Sequence, residues 1–113
     1  MFSIPNKKRF KKLTIKVYGW DEKFKKILSD IFIAQENYEF EIVKITFSSD
    51  GFLTIEEKDL KTIFLGFKQN LINNQFQKIK YLKNEFKKNS FSKKLDNIDL
   101  TNPDKPKIKV FKP

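Results

Sequence analysis

Residues 39–58 read EFEIVKITFSSDGFLTIEEK, and here the order of residue types dictates the backbone geometry position by position. Asp50-Gly51 between two β-branched, apolar runs is the strongest short-range signal for a β-hairpin. Its register follows from where the apolar side chains would go. A two-residue loop on Asp50-Gly51 would pair Phe47 with Thr54 and Ile45 with Glu56, scattering apolar groups over both faces. A three-residue loop, Ser49-Asp50-Gly51 with Gly51 left-handed as a bulge, pairs Phe47 with Leu53 and Ile45 with Ile55 and collects them on one face. The same register sets Thr46 beside Thr54 and Lys44 beside Glu56 on the other face, each such pair worth roughly 0.2–1 kcal/mol. The hairpin is expected in this second register, as the platform on which helices pack.

Upstream of the hairpin, Leu13, Ile15 and Val17 alternate with Thr14, Lys16 and Tyr18, the period of a half-buried strand that Gly19 ends. Asp21 stands where a helix N-cap belongs. Phe24, Ile27, Leu28, Ile31 and Phe32 then follow at the spacing of one helical face, with Lys25 and Lys26 on the outer one. Trp20, just before the cap, is expected to pack on the helix start rather than stack on a base. Downstream, Leu60, Ile63, Phe64, Phe67 and Leu71 make a helical stripe capped by Asp59, although residues 62–67 include strand-forming types and Gly66 weakens a helix. We expect a helix there. Ile72, Phe76, Ile79, Leu82 and Phe86 form a second stripe rotated by about 100° from the first, so a kink or break is expected at Asn73-Asn74. Residues 95–113 hold three of the four prolines and no helical pattern. In that tail Lys105, Lys107 and Lys109 alternate with Pro106, Ile108 and Val110, which would suit either an edge strand or a disordered end.

These elements give a small α+β domain, β-α-β-β-α-α, in which a three-stranded mixed sheet carries the helices on one face. The expected boundaries are a basic arm over residues 1–12, the domain over 13–88, and an extended basic tail over 89–113. With 113 residues the chain can bury about two-thirds of its unfolded surface. No stretch approaches the ~20 apolar residues of a membrane-spanning helix. The start lacks the apolar region of a secretory signal.

The net charge is +10, from 24 basic and 14 acidic residues, and its distribution matters more than its size. Residues 1–26 carry +7, 27–60 carry −6, 61–94 carry +8 and 95–113 carry +1. Part of the lysine excess is what an AT-rich genome produces, but such bias does not segregate the signs. A charge-segregated basic chain points to a polyanion or an acidic protein surface. The residues expected to neutralise phosphates are Lys7, Lys8, Arg9, Lys11 and Lys12 in the arm, Lys25 and Lys26 on the first helix, and Lys80, Lys83, Lys87 and Lys88 on the last. Aromatic residues outside the apolar stripes, namely Phe10, Tyr18, Tyr81, Phe91 and Phe111, are candidates for base stacking. Phe64 falls on an apolar stripe and is assigned to the core with Phe24, Phe32, Phe47, Phe76 and Phe86.

Catalytic chemistry has little to work with. The chain has no Cys and no His, which removes the usual nucleophile-base pairs and most zinc, haem and iron-sulfur ligands. Its 3 glycines form no phosphate loop. Asp50 with Glu56-Glu57-Lys58 superficially resembles the acidic pattern of a metal-dependent nuclease, but turn chemistry explains Asp50 and the register sets Glu56 against Lys44. Glu36, Glu39, Glu41, Glu56, Glu57 and Asp59 are expected to be solvated groups or an internal counterweight to the lysines, not a cation site. No cofactor or metal is expected. The reading that follows is a non-enzymatic, RNA-binding component of a ribonucleoprotein such as the ribosome, in a bacterial cytoplasm or organelle matrix. A small protein-interaction factor that binds an acidic surface, with contacts through the hairpin edge and the C-terminal tail, is the alternative. A metal-dependent nuclease is a distant third.

Overall fold

The computed structural model describes residues 2–6, 13–38, 40–89 and 94–111. Seven strands form one sheet in sequence order: β1 (Phe2–Asn6), β2 (Leu13–Tyr18), β3 (Ile42–Phe47), β4 (Leu53–Glu57), β5 (Lys61–Gly66), β6 (Leu95–Asp99) and β7 (Lys107–Val110). Helix α1 (Lys25–Asn37) joins β2 to β3, and α2 (Ile72–Asn89) joins β5 to β6. Those two strand pairs are parallel and the other four are antiparallel. The class is α+β as expected, but the three-stranded β-α-β-β-α-α sheet is corrected to a seven-stranded one.

Three segments account for the difference. Residues 61–66 are strand β5, not helix. The helical spacing of Leu60, Ile63 and Phe64 loses to the free edge of β4, which satisfies a full row of backbone groups from β5. With that stripe in a strand, no kink is needed at Asn73-Asn74, and α2 runs unbroken on its own stripe of Ile72, Phe76, Ile79, Leu82 and Phe86, all buried. The C-terminal segment supplies β6 and β7, so it is not a free tail, and Phe2–Asn6 pairs with β2.

The hairpin register is the expected one: Phe47 opposite Leu53, Ile45 opposite Ile55, Thr46 opposite Thr54 and Lys44 opposite Glu56. Gly51 sits at φ +95°, which only glycine adopts without strain. Asp50 braces the turn by accepting from the Ser48 hydroxyl and from the Phe52 amide at 3.3 Å. Chiefly the Ser48 bond, and then the Phe52 amide, hold its carboxyl below the ordinary aspartate value.

Register propagates a single apolar row across six strands: Val17, Ile45, Ile55, Ile63, Ile98 and Ile108 are successive neighbours. The first five are fully buried under the helices, and Ile108 emerges at the edge. The helices meet where the end of α1 reaches the start of α2. There the Tyr38 hydroxyl donates to Asn73 Oδ1 at 2.9 Å, and Phe40 lies edge-on to Phe76 at 5.0 Å. Buried Gln75 of α2 donates through Nε2 to the carbonyls of Leu65 and Leu100, at 2.7 and 2.8 Å, tying the ends of β5 and β6 together.

The two crossovers repeat one another. Gly19 and Gly66, the short 3₁₀ turns Glu22–Phe24 and Gln69–Leu71, and the first residues of α1 and α2 are each 47 positions apart. Strand β4 stands between the two halves and belongs to both.

Candidate nucleic-acid interface

Because the apolar row and both helices occupy one face, no described helix covers the sheet's other face. Two rows of side chains cross it. One runs Lys16, Lys44, Glu56, Thr62, Asn97, Lys109; the other runs Tyr18, Thr46, Thr54, Phe64, Asp99, Lys107. These residues are half-buried by their neighbours or exposed. Strand alternation puts them here: each inward apolar residue alternates with an outward polar or aromatic one.

Phe64 lies on this open face, which corrects its assignment to the core. A helical period sets Phe64 inward with Leu60 and Ile63; the strand's period of two turns Ile63 and Leu65 inward and Phe64 outward. Tyr18, already a stacking candidate, occupies the matching place on β2 in the same row, three strands away. Strand spacing of about 4.8 Å puts the two some 14 Å apart. Between them Thr46, Thr54 and Thr62 floor a shallow trough of about 70 Å³ that Lys44, Ile55 and Glu56 also line.

The Lys44 ammonium lies over the Tyr18 ring, 5.1 Å from its centroid, a cation-π arrangement. Register sets Lys44 beside Glu56 as expected, but no ion pair joins them: among the described residues no cation comes within 4.0 Å of the Glu56 carboxylate. Phe52 and the exposed Phe67 extend the aromatic surface beyond Phe64, with centroids 6.2 Å (Phe52–Phe64) and 5.1 Å (Phe52–Phe67) apart. At the far strands, Asp99 accepts from the Thr101 hydroxyl at 2.7 Å and the Thr101 amide at 2.9 Å. These bonds, with a smaller contribution from Lys107, hold its carboxyl below the ordinary value.

The lysines named from sequence are distributed differently. Lys7, Lys8, Arg9, Lys11 and Lys12 lie outside the described residues, as do Phe10, Phe91 and Glu39. Lys25 and Lys26 are exposed on the first turn of α1, and Lys80, Lys87 and Lys88 on α2. The α1 pair and the last two sit at the ends of their helices farthest from the helix contact; Lys88 is about 22 Å along α2 from Asn73 at 1.5 Å per residue. Lys83 is engaged inside the protein: its ammonium is 2.6 Å from Glu57 Oε2 and 3.5 Å from Asp59. Lys88 is 3.6 Å from Glu85. Tyr81 is exposed with the Lys78 ammonium over its ring at 5.5 Å, and Trp20 packs edge-on against Phe47 at 6.2 Å.

Of the acidic residues singled out from sequence, Glu41, Glu57 and Asp59 each meet a lysine. Glu57 points to the helix side and meets Lys83, Glu41 lies 3.8 Å from Lys58, and only Glu56 of the Glu56-Glu57 pair faces the open side. Among the described residues no group of three or more acidic side chains is placed to hold a metal ion. Among the same residues no helix is long and apolar enough to cross a membrane. The chain was compared with protein-family models and with curated proteins, and neither comparison found a match.

Proposed function

We propose that this protein is a non-enzymatic binder of single-stranded nucleic acid, RNA in particular, and that the open sheet face is its contact surface. One observation carries the reading: a sheet face that no described helix covers presents Tyr18 and Phe64 in one register row with Lys16, Lys44, Lys107 and Lys109 around them. Bases of an unpaired strand stack on aromatic side chains, and sheet faces that carry such side chains are a recurring platform for them. Surrounding lysines meet the phosphates, and the +10 net charge draws the strand in from solution. The exposed helix lysines add to that attraction without forming a base-reading surface. An RNA-protein assembly is a natural setting for such a component.

The test is fluorescence anisotropy with a short labelled single-stranded RNA. Binding is expected at ~50 mM salt and should fall steeply by ~200 mM as counterions are no longer released favourably. Tyr18→Ala with Phe64→Ala should weaken it about 10- to 100-fold, in line with ~1–3 kcal/mol per stacked base. The thermal unfolding of that variant should be nearly unchanged, since both rings are partly exposed. Absence of any retention at ~50 mM salt overturns the proposal.

A second reading, a protein-interaction factor, is favoured by one specific feature. Strand β7 is an edge on which every residue is exposed, including Ile108 and Val110, with Phe111 just beyond it at 63% exposure. Such an edge can accept a partner's strand. Partners recovered from an extract that survive nuclease treatment favour this second reading; partners lost with nuclease favour the first.

A further inference from the structure

The open face carries one feature that phosphate attraction does not explain, a carboxylate in its middle. Glu56 stands between Lys44 and Thr62 in its row, yet its carboxylate has no ion pair among the described residues, because the Lys44 ammonium turns to the Tyr18 ring. A lone anion would repel a phosphate. It is suited to accept hydrogen bonds from a neutral ligand's N–H groups. Its position sharpens the choice: Glu56 is the diagonal neighbour of Phe64 across β4 and β5, about 7–8 Å away, so a base stacked on Phe64 would turn an edge toward it.

We infer that Glu56 reads a guanine base stacked on Phe64. Of the four RNA bases, only guanine presents two adjacent donors on its Watson–Crick edge, N1–H and the N2 amino group, matching the two oxygens of a carboxylate. Adenine and cytosine place a ring-nitrogen acceptor beside their amino group, and uracil flanks its single N–H with two carbonyls, so each would set an acceptor against the carboxylate. The hydroxyls of Thr54 and Thr62, beside Glu56 in the trough, can donate or accept and complete the contact. A guanidinium from a protein partner has the same donor pair, but Lys16 and Lys44 on this face disfavour a cation and favour a ligand that carries phosphates.

The inference rests on the proposed single-strand binding, and the experiment separates the two. Anisotropy would be measured with five heptamers, oligo(U) and the same strand with guanine, adenine, cytosine or inosine at the centre, for the wild type and Glu56→Gln. The wild type should bind the guanine strand about tenfold more tightly than the other natural bases. Inosine, which keeps N1–H and lacks the amino group, should fall between. Glu56→Gln should lose most of that preference while binding oligo(U) as well as the wild type or better, since it removes a negative charge. Equal wild-type affinity for all strands, or a guanine preference that survives Glu56→Gln, overturns the inference and leaves single-strand binding standing. No binding to any strand overturns both, and binding of an arginine-rich peptide in place of RNA, lost in Glu56→Gln, would assign the carboxylate to a protein partner.

Discussion

Glu57 shows how much one side chain can be asked to hold. Its Oε2 accepts from the Glu41 amide at 2.8 Å and from the Lys83 ammonium at 2.6 Å, while Oε1 accepts from the amides of Asp59 and Leu60 at 2.8 and 3.1 Å. The carboxylate is fully buried, so these four donors are what replaces its water. It closes the β4–β5 turn, after which Lys61, the first residue of β5, is left-handed at φ +65°. An amide at this position offers one acceptor oxygen and sets its NH₂ against two donors, and it leaves Lys83 with only the more exposed Asp59 as an anion. Glu57→Gln is therefore expected to cost about 3 kcal/mol, measurable as a lower urea midpoint with an unchanged slope. The alternation of Leu53, Ile55 and Glu57 places this residue on the core side and is visible in the sequence. Its partner is not, because Lys83 is one of many lysines and lies 26 positions away.

Between elements, the strand-to-helix turns set the tightest tolerance. Gly19, at φ +72°, ends β2 so close to β3 that a Cβ there would lie 1.8 Å from the Phe47 carbonyl oxygen. Nothing short of separating the two strands relieves that overlap, and the positive φ adds strain for any other residue. At Gly66, its counterpart at the end of β5, the nearest atom to a Cβ is the Thr101 side-chain methyl at 3.0 Å, which can shift. Gly19→Ala should thus lower Tm markedly, by a loss of at least about 2 kcal/mol, and by more than Gly66→Ala, where backbone conformation alone costs roughly 1–2 kcal/mol. Parallel thermal melts of the two variants check the order. Gly19 ends β2 as the alternation predicts, and Asp21 caps the 3₁₀ turn that leads into α1, accepting from the Lys23 amide at 3.0 Å. From sequence Gly66 counts only as a flaw in a helix, since Leu60, Ile63, Phe64 and Phe67 satisfy a helical period as well as a strand one. Phe64 and Thr62 of the candidate interface are hidden by that ambiguity.

Over the whole molecule, the two halves share one sheet, and the second half cannot be removed from the first. Leu95, Ile98 and Leu100 are fully buried, and Gln75 of α2 is bonded to the Leu100 carbonyl. A chain ending at residue 94 would expose the face of α2 that these residues cover and turn β5 into a free edge. It is expected to lose cooperative unfolding and dispersed amide NMR signals. A domain complete at residue 88 would retain both. The same scale decides where charge ends up. Segregation along the sequence into basic, acidic and basic blocks becomes neutralisation in space where Lys83 meets Glu57 and Asp59 and Lys58 meets Glu41, so the lysines left for a partner are fewer than the composition suggests.

By itself the sequence determined the hairpin and its register, strand β2 and helix α1, the buried stripe of α2 and the absence of Cys and His chemistry. Each rests on a local rule: turn residues, alternation, or helical spacing within one segment. Tertiary structure alone decided that residues 61–66 are a strand, that both ends of the chain join the sheet, and that the two crossovers place their helices on one face. Those outcomes depend on which backbone edges remain unpaired once β3 and β4 have formed, and an unpaired edge is a property of the assembled sheet rather than of any segment. The open face with Tyr18, Phe64 and Glu56 is a consequence of that assembly. Its residues are scattered over strands as far apart in the chain as β2 and β7, and only the shared register makes them neighbours.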